Sequence, residues 1–184
     1  MAMTRFDKEK LVEIVLYILN KKGGLDYYSQ IKTLYFAELD YLAKWGRRIT
    51  ADDVCAMPYG PVLSHLLNAI KDTGEDKELA SMLHDVFQTP KNNAPYVLLP
   101  LREADEDYLS ESEKEALDKS IAENSSLSFS QLMSKSHDEV WKKYFENGTG
   151  RKVIPTTALA DAAHASDAMK EYIRENMELD KIFS

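Results

Sequence analysis

The chain has 184 residues, of which 44% are hydrophobic and 29% are charged, and its formal net charge is −8. These values are ordinary for a folded domain and argue against disorder along the whole chain. The negative charge disfavours long-range attraction to nucleic acid and to anionic membranes. Because Cys55 is the single cysteine, no internal disulfide is possible. The apolar runs of the sequence are too short to span a membrane. We expect a cytoplasmic protein without a signal peptide.

The first quarter of the chain predicts two long amphipathic helices. Asp7 is expected to cap the first helix, and residues 21–24 (Lys-Lys-Gly-Gly) carry its stop signal. Asp26 is expected to cap the second helix, which runs to about Lys44 and ends in a left-handed C-cap at Gly46. The apolar stripe of this second helix contains Ile31, Leu34, Tyr35, Tyr41, Leu42 and Trp45.

A short strand and a proline–glycine corner follow the second helix. Residues 54–57 are expected to be extended, and residues 58–61 (Pro-Tyr-Gly-Pro) turn the chain sharply. Because proline is favoured at the first position of a helix, we expect Pro61 to begin the third helix and residues 72–74 to end it. We expect the other segments of the chain to pack around this unit of helix, turn, strand, corner and helix.

The middle of the chain predicts a short helix over residues 77–84 and then a β-hairpin. The extended stretches of this hairpin are residues 86–88 and 96–101, and residues 90–95 form a turn-rich connection. The strand at residues 54–57 is positioned to join the same sheet.

The last third of the chain predicts several further helices. Ser110, Ser128 and Ser136 each precede Glu or Gln by three residues, which is the pattern of a capping box, and the first of these helices runs to about Glu123. The segment at 147–152 predicts a loop, and the alanine-rich residues 158–177 predict a C-terminal helix. The whole pattern indicates a mostly helical α+β domain, with about six or seven helices around a small antiparallel β-sheet.

The sequence carries no legible catalytic or metal-binding motif. The four histidines have no metal-ligand spacing, and Ser134, His137 and Asp138 are too close in sequence to converge as a catalytic triad. Residues 148–152 lack the spacing of a phosphate-binding loop. Cys55 is interpreted as a small strand residue. We therefore expect no enzyme activity, no metal and no cofactor.

Five side chains are nevertheless candidates for special roles. Glu38 lies within the apolar stripe, so it either organises a buried hydrogen-bond network or sits at the edge of the stripe. Tyr35 and Tyr59 are candidate aromatic anchors for a protein partner, although either can instead belong to the core. His137 is expected to be a half-buried imidazole bonded to backbone, or to contribute to a partner groove, and Trp141 is expected to be largely buried.

Four sequence runs give a resemblance to a known family: LYFAELDYLAKWGRRIT, AMPYGPVLSHL, LSESE and SHDEVW. In this order they resemble the Panacea-domain family of SocA-like antitoxins, which also contains phage-associated proteins. The resemblance extends from about Leu34 to Trp141 and implies one domain over residues 1–184. Its family-like core would span about residues 30–145, followed by a loop and an appended helix over residues 146–184.

The resemblance also implies a function and a set of structural positions. Family members bind and neutralise protein toxins of toxin–antitoxin systems, and SocA-type members also deliver the toxin to a protease. The implied partner is a toxin encoded by an adjacent gene. The positions that match the family motifs, and that we expect to be structural, are Glu38, Gly60, Pro61, His137 and Trp141.

A winged-helix transcriptional regulator is the alternative from another functional class. The order of helices, strand and hairpin resembles a winged helix, and the helix after Pro61 would then enter the DNA groove. That helix offers Ser64, His65, Asn68 and Lys71 but no arginine, whereas phosphate contacts usually need several basic side chains on one face. We therefore expect no DNA partner.

Overall fold

The structure, a computed structural model, describes residues 3–90, 96–145 and 152–183. Nine α-helices occur in this part of the chain: α1 Arg5–Lys22, α2 Tyr27–Trp45, α3 Ser64–Ile70, α4 Lys77–His84, α5 Glu111–Asn124, α6 Phe129–Ser136, α7 Glu139–Tyr144, α8 Thr156–Ala162 and α9 Asp167–Phe183. The strands are β1 Leu25–Asp26, β2 Val54–Met57, β3 Gly60–Leu63, β4 Phe87–Gln88, β5 Val97–Pro100 and β6 Lys152–Val153. The prediction of a mostly helical α+β fold is confirmed.

The number of helices exceeds the six or seven that the sequence predicts. One reason is that the single helix expected over residues 158–177 is two helices, α8 and α9. The chain turns between them at His164, whose φ of 52° lies in the left-handed region and is incompatible with a continuous right-handed helix. Of the predicted loop at 147–152, residues 147–151 lie outside the described residues, as do residues 91–95 of the predicted hairpin connection.

Helix α2 lies at the centre of the fold and packs along α5. It begins where Asp26 accepts a hydrogen bond from the Ser29 backbone N–H at 2.9 Å, and it ends at Gly46, which has a φ of 67°. Both caps are confirmed. The predicted apolar stripe is buried except at its end, where Trp45 is 45% exposed. The prediction that Trp45 belongs to the buried stripe is therefore wrong.

Within residues 3–90, 96–145 and 152–183, two three-stranded antiparallel sheets replace the single sheet that the sequence predicts. One has the order β1-β5-β4, and its β4–β5 pair is the predicted hairpin. The other has the order β3-β2-β6. Strand β2 does not join the predicted hairpin, because its two edges are occupied by β3 and β6.

The proline–glycine corner is the turn of a second β-hairpin, and the prediction that Pro61 begins a helix is wrong. Strands β2 and β3 pair in the register that sets Met57 opposite Gly60 and Ala56 opposite Pro61. Strand β3 is an edge strand, where the missing N–H of a proline leaves no ladder bond unmade. Helix α3 begins only at Ser64.

The predicted helix caps are partly confirmed. Ser110 and Ser128 each form a complete capping box. The first helix is capped by Thr4 instead of Asp7, since Asp7 occupies the third helical position and closes the capping box from there. Helix α7 is capped by Asp138, because Ser136 still belongs to α6. Among the described residues, no helix has the length and apolarity that a membrane span requires.

Candidate protein-binding surface

The hairpin that joins β2 to β3 is held by side chains from two helices. Three alternate backbone carbonyls of its turn each accept one side-chain hydrogen bond. The pairs are Trp141 Nε1 to Met57 O at 2.9 Å, Tyr28 Oη to Tyr59 O at 2.9 Å and Lys32 Nζ to Pro61 O at 2.7 Å. Because the donors belong to α2 and α7, these bonds fix the hairpin to the helical body.

Gly60 is the residue at which the backbone of this hairpin comes close to side chains of the helices. Its φ is +95°, a conformation that residues with a Cβ rarely adopt. A Cβ at this position would lie 2.5 Å from Lys32 Nζ and would also collide with Ser136 Oγ. Glycine is therefore required both by the backbone conformation and by the packing of the turn.

The fixed hairpin presents Tyr59 on the outside of the protein, next to two other aromatic rings. Tyr59 is 60% exposed, and its ring centroid lies 5.5 Å from that of Phe129, which is 48% exposed. The Tyr28 ring follows at 4.5 Å from the Phe129 ring. We call Tyr28, Tyr59 and Phe129 the aromatic surface. Exposed aromatic clusters of this kind are typical of protein-binding sites.

Trp141 supports the hairpin through its bond to Met57, and His137 packs against Trp141. Their rings stack with centroids 3.6 Å apart and an interplanar angle of 5°. The expected hydrogen bond from the imidazole to backbone is absent at Nε2, which is buried and has no partner among the described residues. Trp141 is half-buried and not largely buried as predicted, because α7 has only six residues and lies at the edge of the core.

Lys32 is a buried lysine that the sequence interpretation missed. It is 0% exposed, and its ammonium lies 5.4 Å from the Tyr28 ring centroid and 5.8 Å from that of Tyr35. Burial lowers the pKa of Lys32 to about 7, and the nearby Asp138 carboxylate opposes this shift only in part. The sequence did contain a signal for this buried lysine. Residues 28, 32 and 35 are spaced to lie on one face of a helix, and a lysine between two tyrosines on such a face is unusual.

Tyr35 is a core residue and not a contact residue for a partner. It is 1% exposed, and its ring packs against Phe36 with centroids 5.3 Å apart. Burial raises the pKa of the Tyr35 hydroxyl, and the charge of Asp138 adds to this effect. Of the two candidate anchors, Tyr59 is therefore exposed on the surface, whereas Tyr35 is enclosed in the core.

Glu38 organises a buried network that fixes the loop after α2. Its carboxylate accepts bonds from Arg48 Nε at 2.9 Å, from the Ile49 N–H at 2.9 Å and from the Thr50 N–H at 3.0 Å. The Thr50 hydroxyl and Arg48 Nη2 donate to the same group. Glu38 therefore organises a buried hydrogen-bond network and does not sit at the edge of the apolar stripe.

The proposed recognition helix of the DNA-binding alternative is short. Helix α3 has seven residues, and Leu66, Leu67, Ala69 and Ile70 are buried. Its first turn is held by Asp52, which accepts from the His65 N–H at 2.9 Å and the Leu66 N–H at 2.8 Å. Burial raises the pKa of Asp52 to about 6 although these two bonds oppose the shift. The buried side chains of α3 and its N-terminal turn thus make structural contacts.

Comparison with models of known protein families gives one match. The family model described as "Antitoxin SocA-like, Panacea domain" matches residues 31–142. The matched region includes the β2–β3 hairpin, Lys32, Phe129 and Trp141. No curated protein and no solved structure gives a significant match. The match confirms the resemblance found in the sequence and covers more than half of the chain, so this protein belongs to the family of SocA-like antitoxins with a Panacea domain.

Proposed function

We propose that this protein is an antitoxin that binds and neutralises a protein toxin through its aromatic surface. The observation that carries the proposal is the presentation of Tyr59 beside Phe129 on a hairpin in which three backbone carbonyls, those of Met57, Tyr59 and Pro61, accept bonds from helix side chains. Aromatic side chains supply most hot spots of protein interfaces. A surface fixed before binding loses less conformational entropy when the complex forms, which favours affinity.

The proposal includes the partner that the family implies, a toxin encoded by an adjacent gene. The chain has a net charge of −8, which favours association with a basic protein and disfavours like-charged ones. The proposal assigns the interaction to the cytoplasm, because a chain with one cysteine depends on no internal disulfide.

In this proposal the protein acts by binding and not by catalysis. Ser134, His137 and Asp138 make structural contacts: the Ser134 carbonyl accepts from the His137 backbone N–H at 3.4 Å, Asp138 accepts from the Trp141 N–H at 2.7 Å, and His137 stacks on the Trp141 ring. A catalytic relay would instead need the imidazole to be bonded on both nitrogens. These contacts support a positioning role for the segment in front of α7.

The test is to produce the protein encoded by the adjacent gene and to measure its binding to this chain by calorimetry. Tyr59→Ala and Tyr96→Ala form a matched pair, because both tyrosines are 60% exposed but Tyr96 precedes β5 in the other sheet. We expect Tyr59→Ala to weaken binding at least tenfold with an unchanged melting temperature, and Tyr96→Ala to bind as the natural chain does. Equal binding by both variants would contradict the proposed surface.

Co-expression tests the neutralising activity itself. We expect the natural chain to restore the growth of cells that produce the adjacent protein, and the Tyr59→Ala chain to restore it poorly. Persistent toxicity together with absent binding would refute the antitoxin assignment. Faster degradation of the toxin by a cellular protease in the presence of this chain would identify a proteolytic adaptor, whereas protection would identify neutralisation by masking.

A further inference from the structure

The ammonium group of Lys32 occupies an enclosed site that is poorly suited to a charge. Lys32 is 0% exposed, and its one hydrogen bond among the described residues goes to the neutral carbonyl of Pro61 at 2.7 Å. No ion pair joins it to a carboxylate in the part of the chain that the structure describes. Buried lysines are rare unless they are paired, because removing an ammonium from water is costly.

His137 is a second base, and its protonation is influenced by the charge of Lys32. The Nε2 atom of His137 is buried without a hydrogen-bond partner, and its ring is covered by Trp141. Burial lowers the pKa of His137, and the positive charge of Lys32 lowers it further. Protonation of either base is therefore unfavourable while the hairpin is closed, and protonation of both is more so.

The surroundings of the two bases contain little compensating charge. On α2, Lys32 is faced by the phenol rings of Tyr28 and Tyr35, which are neutral near pH 7. At the junction of α6 and α7, Asp138 is the carboxylate that acts on both Lys32 and His137. One negative charge thus faces two groups that can each become positive.

We propose that Lys32 and His137 form a proton-sensitive latch for the β2–β3 hairpin, closed when they are neutral and released when acidification charges them. The latch would regulate the aromatic surface, because Lys32 and Trp141 hold the turn that carries Tyr59. Opening the hairpin admits water to both bases and removes the penalty for their protonation, so protons stabilise the open state. The predicted effect on partner binding rests on the proposed function. The predicted opening of the hairpin on acidification is independent of that function.

Fluorescence of Trp141 gives a direct test in the free protein. The chain contains two tryptophans, so a Trp45→Phe background leaves Trp141 as the reporter. We expect acrylamide to quench Trp141 more strongly, and its emission to shift to longer wavelength, as the pH falls from 8.5 to 5.5, with the helical circular dichroism retained. Quencher access is measured in addition to intensity because a charged His137 could change intensity without any opening.

Two lysine variants in this background make the test specific. Lys32→Met removes the titrating group from the enclosure and should strongly reduce the rise in quencher access on acidification. Lys77→Met is the control, because Lys77 is an exposed residue of α4 that pairs with Asp72, and it should leave the transition unchanged. A transition of the same size in both variants, or none in the parent, would overturn the latch.

Hydrogen exchange keeps the proposal testable if Lys32→Met does not fold. In the natural chain, peptides that cover β2 and β3 should lose protection between pH 8 and pH 6 after correction for the intrinsic pH dependence of exchange. Peptides from α1 serve as the internal reference, since residues 11–19 of this helix are all buried. Equal protection of the hairpin at both pH values would overturn the proposal.

Binding to the adjacent gene product separates this inference from the proposed function. The natural chain should bind several-fold more weakly at pH 6 than at pH 8, and Lys32→Met should reduce this ratio. Absence of binding at both pH values would refute the proposed function and leave the result in the free protein standing. Binding with the same pH ratio in both chains would refute the link between the latch and the partner.

Discussion

Trp141 donates its indole N–H to the backbone carbonyl of Met57 across 2.9 Å, and this bond joins helix α7 to the hairpin that carries Tyr59. The two residues are 84 positions apart in the sequence, so the bond closes a long loop of the chain. It explains why the SHDEVW run and the proline–glycine corner belong to one structural unit. The tryptophan supports the surface that we propose for partner binding without itself belonging to the aromatic surface.

The contribution of this bond can be measured with Trp141→Phe. Phenylalanine retains an aromatic ring for the stack on His137 but cannot donate to Met57, so we expect a loss of about 0.5–1.5 kcal/mol in the free energy of unfolding. Urea unfolding gives the value. Trp45→Phe is the matched control, because Trp45 is 45% exposed and its replacement should change stability by about 0.5 kcal/mol or less. Equal effects of the two substitutions would show that the indole bond contributes nothing.

Local sequence signals predicted much of the helical structure because the interactions behind them are local. Ser110 and Ser128 bond to residues three positions away, and a glycine in the left-handed conformation, as at Gly46, is a common local way to end a helix. Pro61 misled the prediction because proline is compatible with both a helix start and an edge strand. The pairing of β2 with β3, which decides between them, depends on contacts that a local pattern does not contain.

The site was predictable only in part for the same reason. Tyr59, Gly60 and Trp141 were identified from the corner and the family-like runs, but their mutual contacts depend on the tertiary structure. Lys32 and Phe129 were missed, since a lysine and a phenylalanine at helical positions have many possible roles in an isolated sequence. Tyr35 and Tyr59 are both tyrosines near motif residues, and only burial separates the core residue from the exposed one.

Gly60→Ala should be more destabilising than Gly23→Ala, although both glycines have positive φ values. At Gly23, with a φ of +67°, an added Cβ meets no atom within 4 Å, so the cost is limited to about 1–2 kcal/mol of backbone strain. At Gly60 the same strain is joined by collisions with Lys32 and Ser136, which must move. Chemical denaturation of the two variants gives the comparison. A smaller loss in Gly60→Ala would indicate that the turn relaxes freely.

Glu38→Gln tests the buried hub after α2. The amide keeps the shape of the side chain but leaves the Arg48 guanidinium, whose side chain is 16% exposed, without its counter-charge. Breaking a largely buried ion pair in this way should cost about 3–5 kcal/mol. Glu115→Gln is the control, since the Glu115–Lys44 pair is exposed and contributes about 0–1 kcal/mol. The midpoints of urea unfolding distinguish the outcomes, and a similar loss in both variants would contradict the assigned role of Glu38.

The stability of the protein should depend on pH through Lys32. Its pKa is about 7 in the folded protein against 10.5 for an exposed lysine, so between these values the unfolded chain carries a proton that the folded chain lacks. Stability therefore rises with pH over this window and falls as the pH is lowered towards 7, with a contribution of about 1.4 kcal/mol per pH unit. The difference in unfolding free energy between the natural chain and Lys32→Met, measured from pH 7.5 to 9.5, should show this slope. The unfolding free energy of Lys77→Met should change with pH as that of the natural chain does. The same pH dependence in Lys32→Met would contradict a lowered pKa of the buried Lys32.

The aromatic surface should bind a partner as one unit, which a double-mutant cycle on Tyr59 and Phe129 can measure. Their rings are 5.5 Å apart, so each helps to order the other against the same partner surface. We expect the double variant Tyr59→Ala/Phe129→Ala to lose less binding free energy than the sum of the single losses, with a coupling of about 0.5–3 kcal/mol. Tyr59 and Tyr96 form the control cycle, because they adjoin strands of different sheets and their effects on binding should add within about 0.5 kcal/mol. Calorimetric titration of the adjacent gene product into each variant gives the values. Additive losses at Tyr59 and Phe129 would mean that the two rings contact the partner independently.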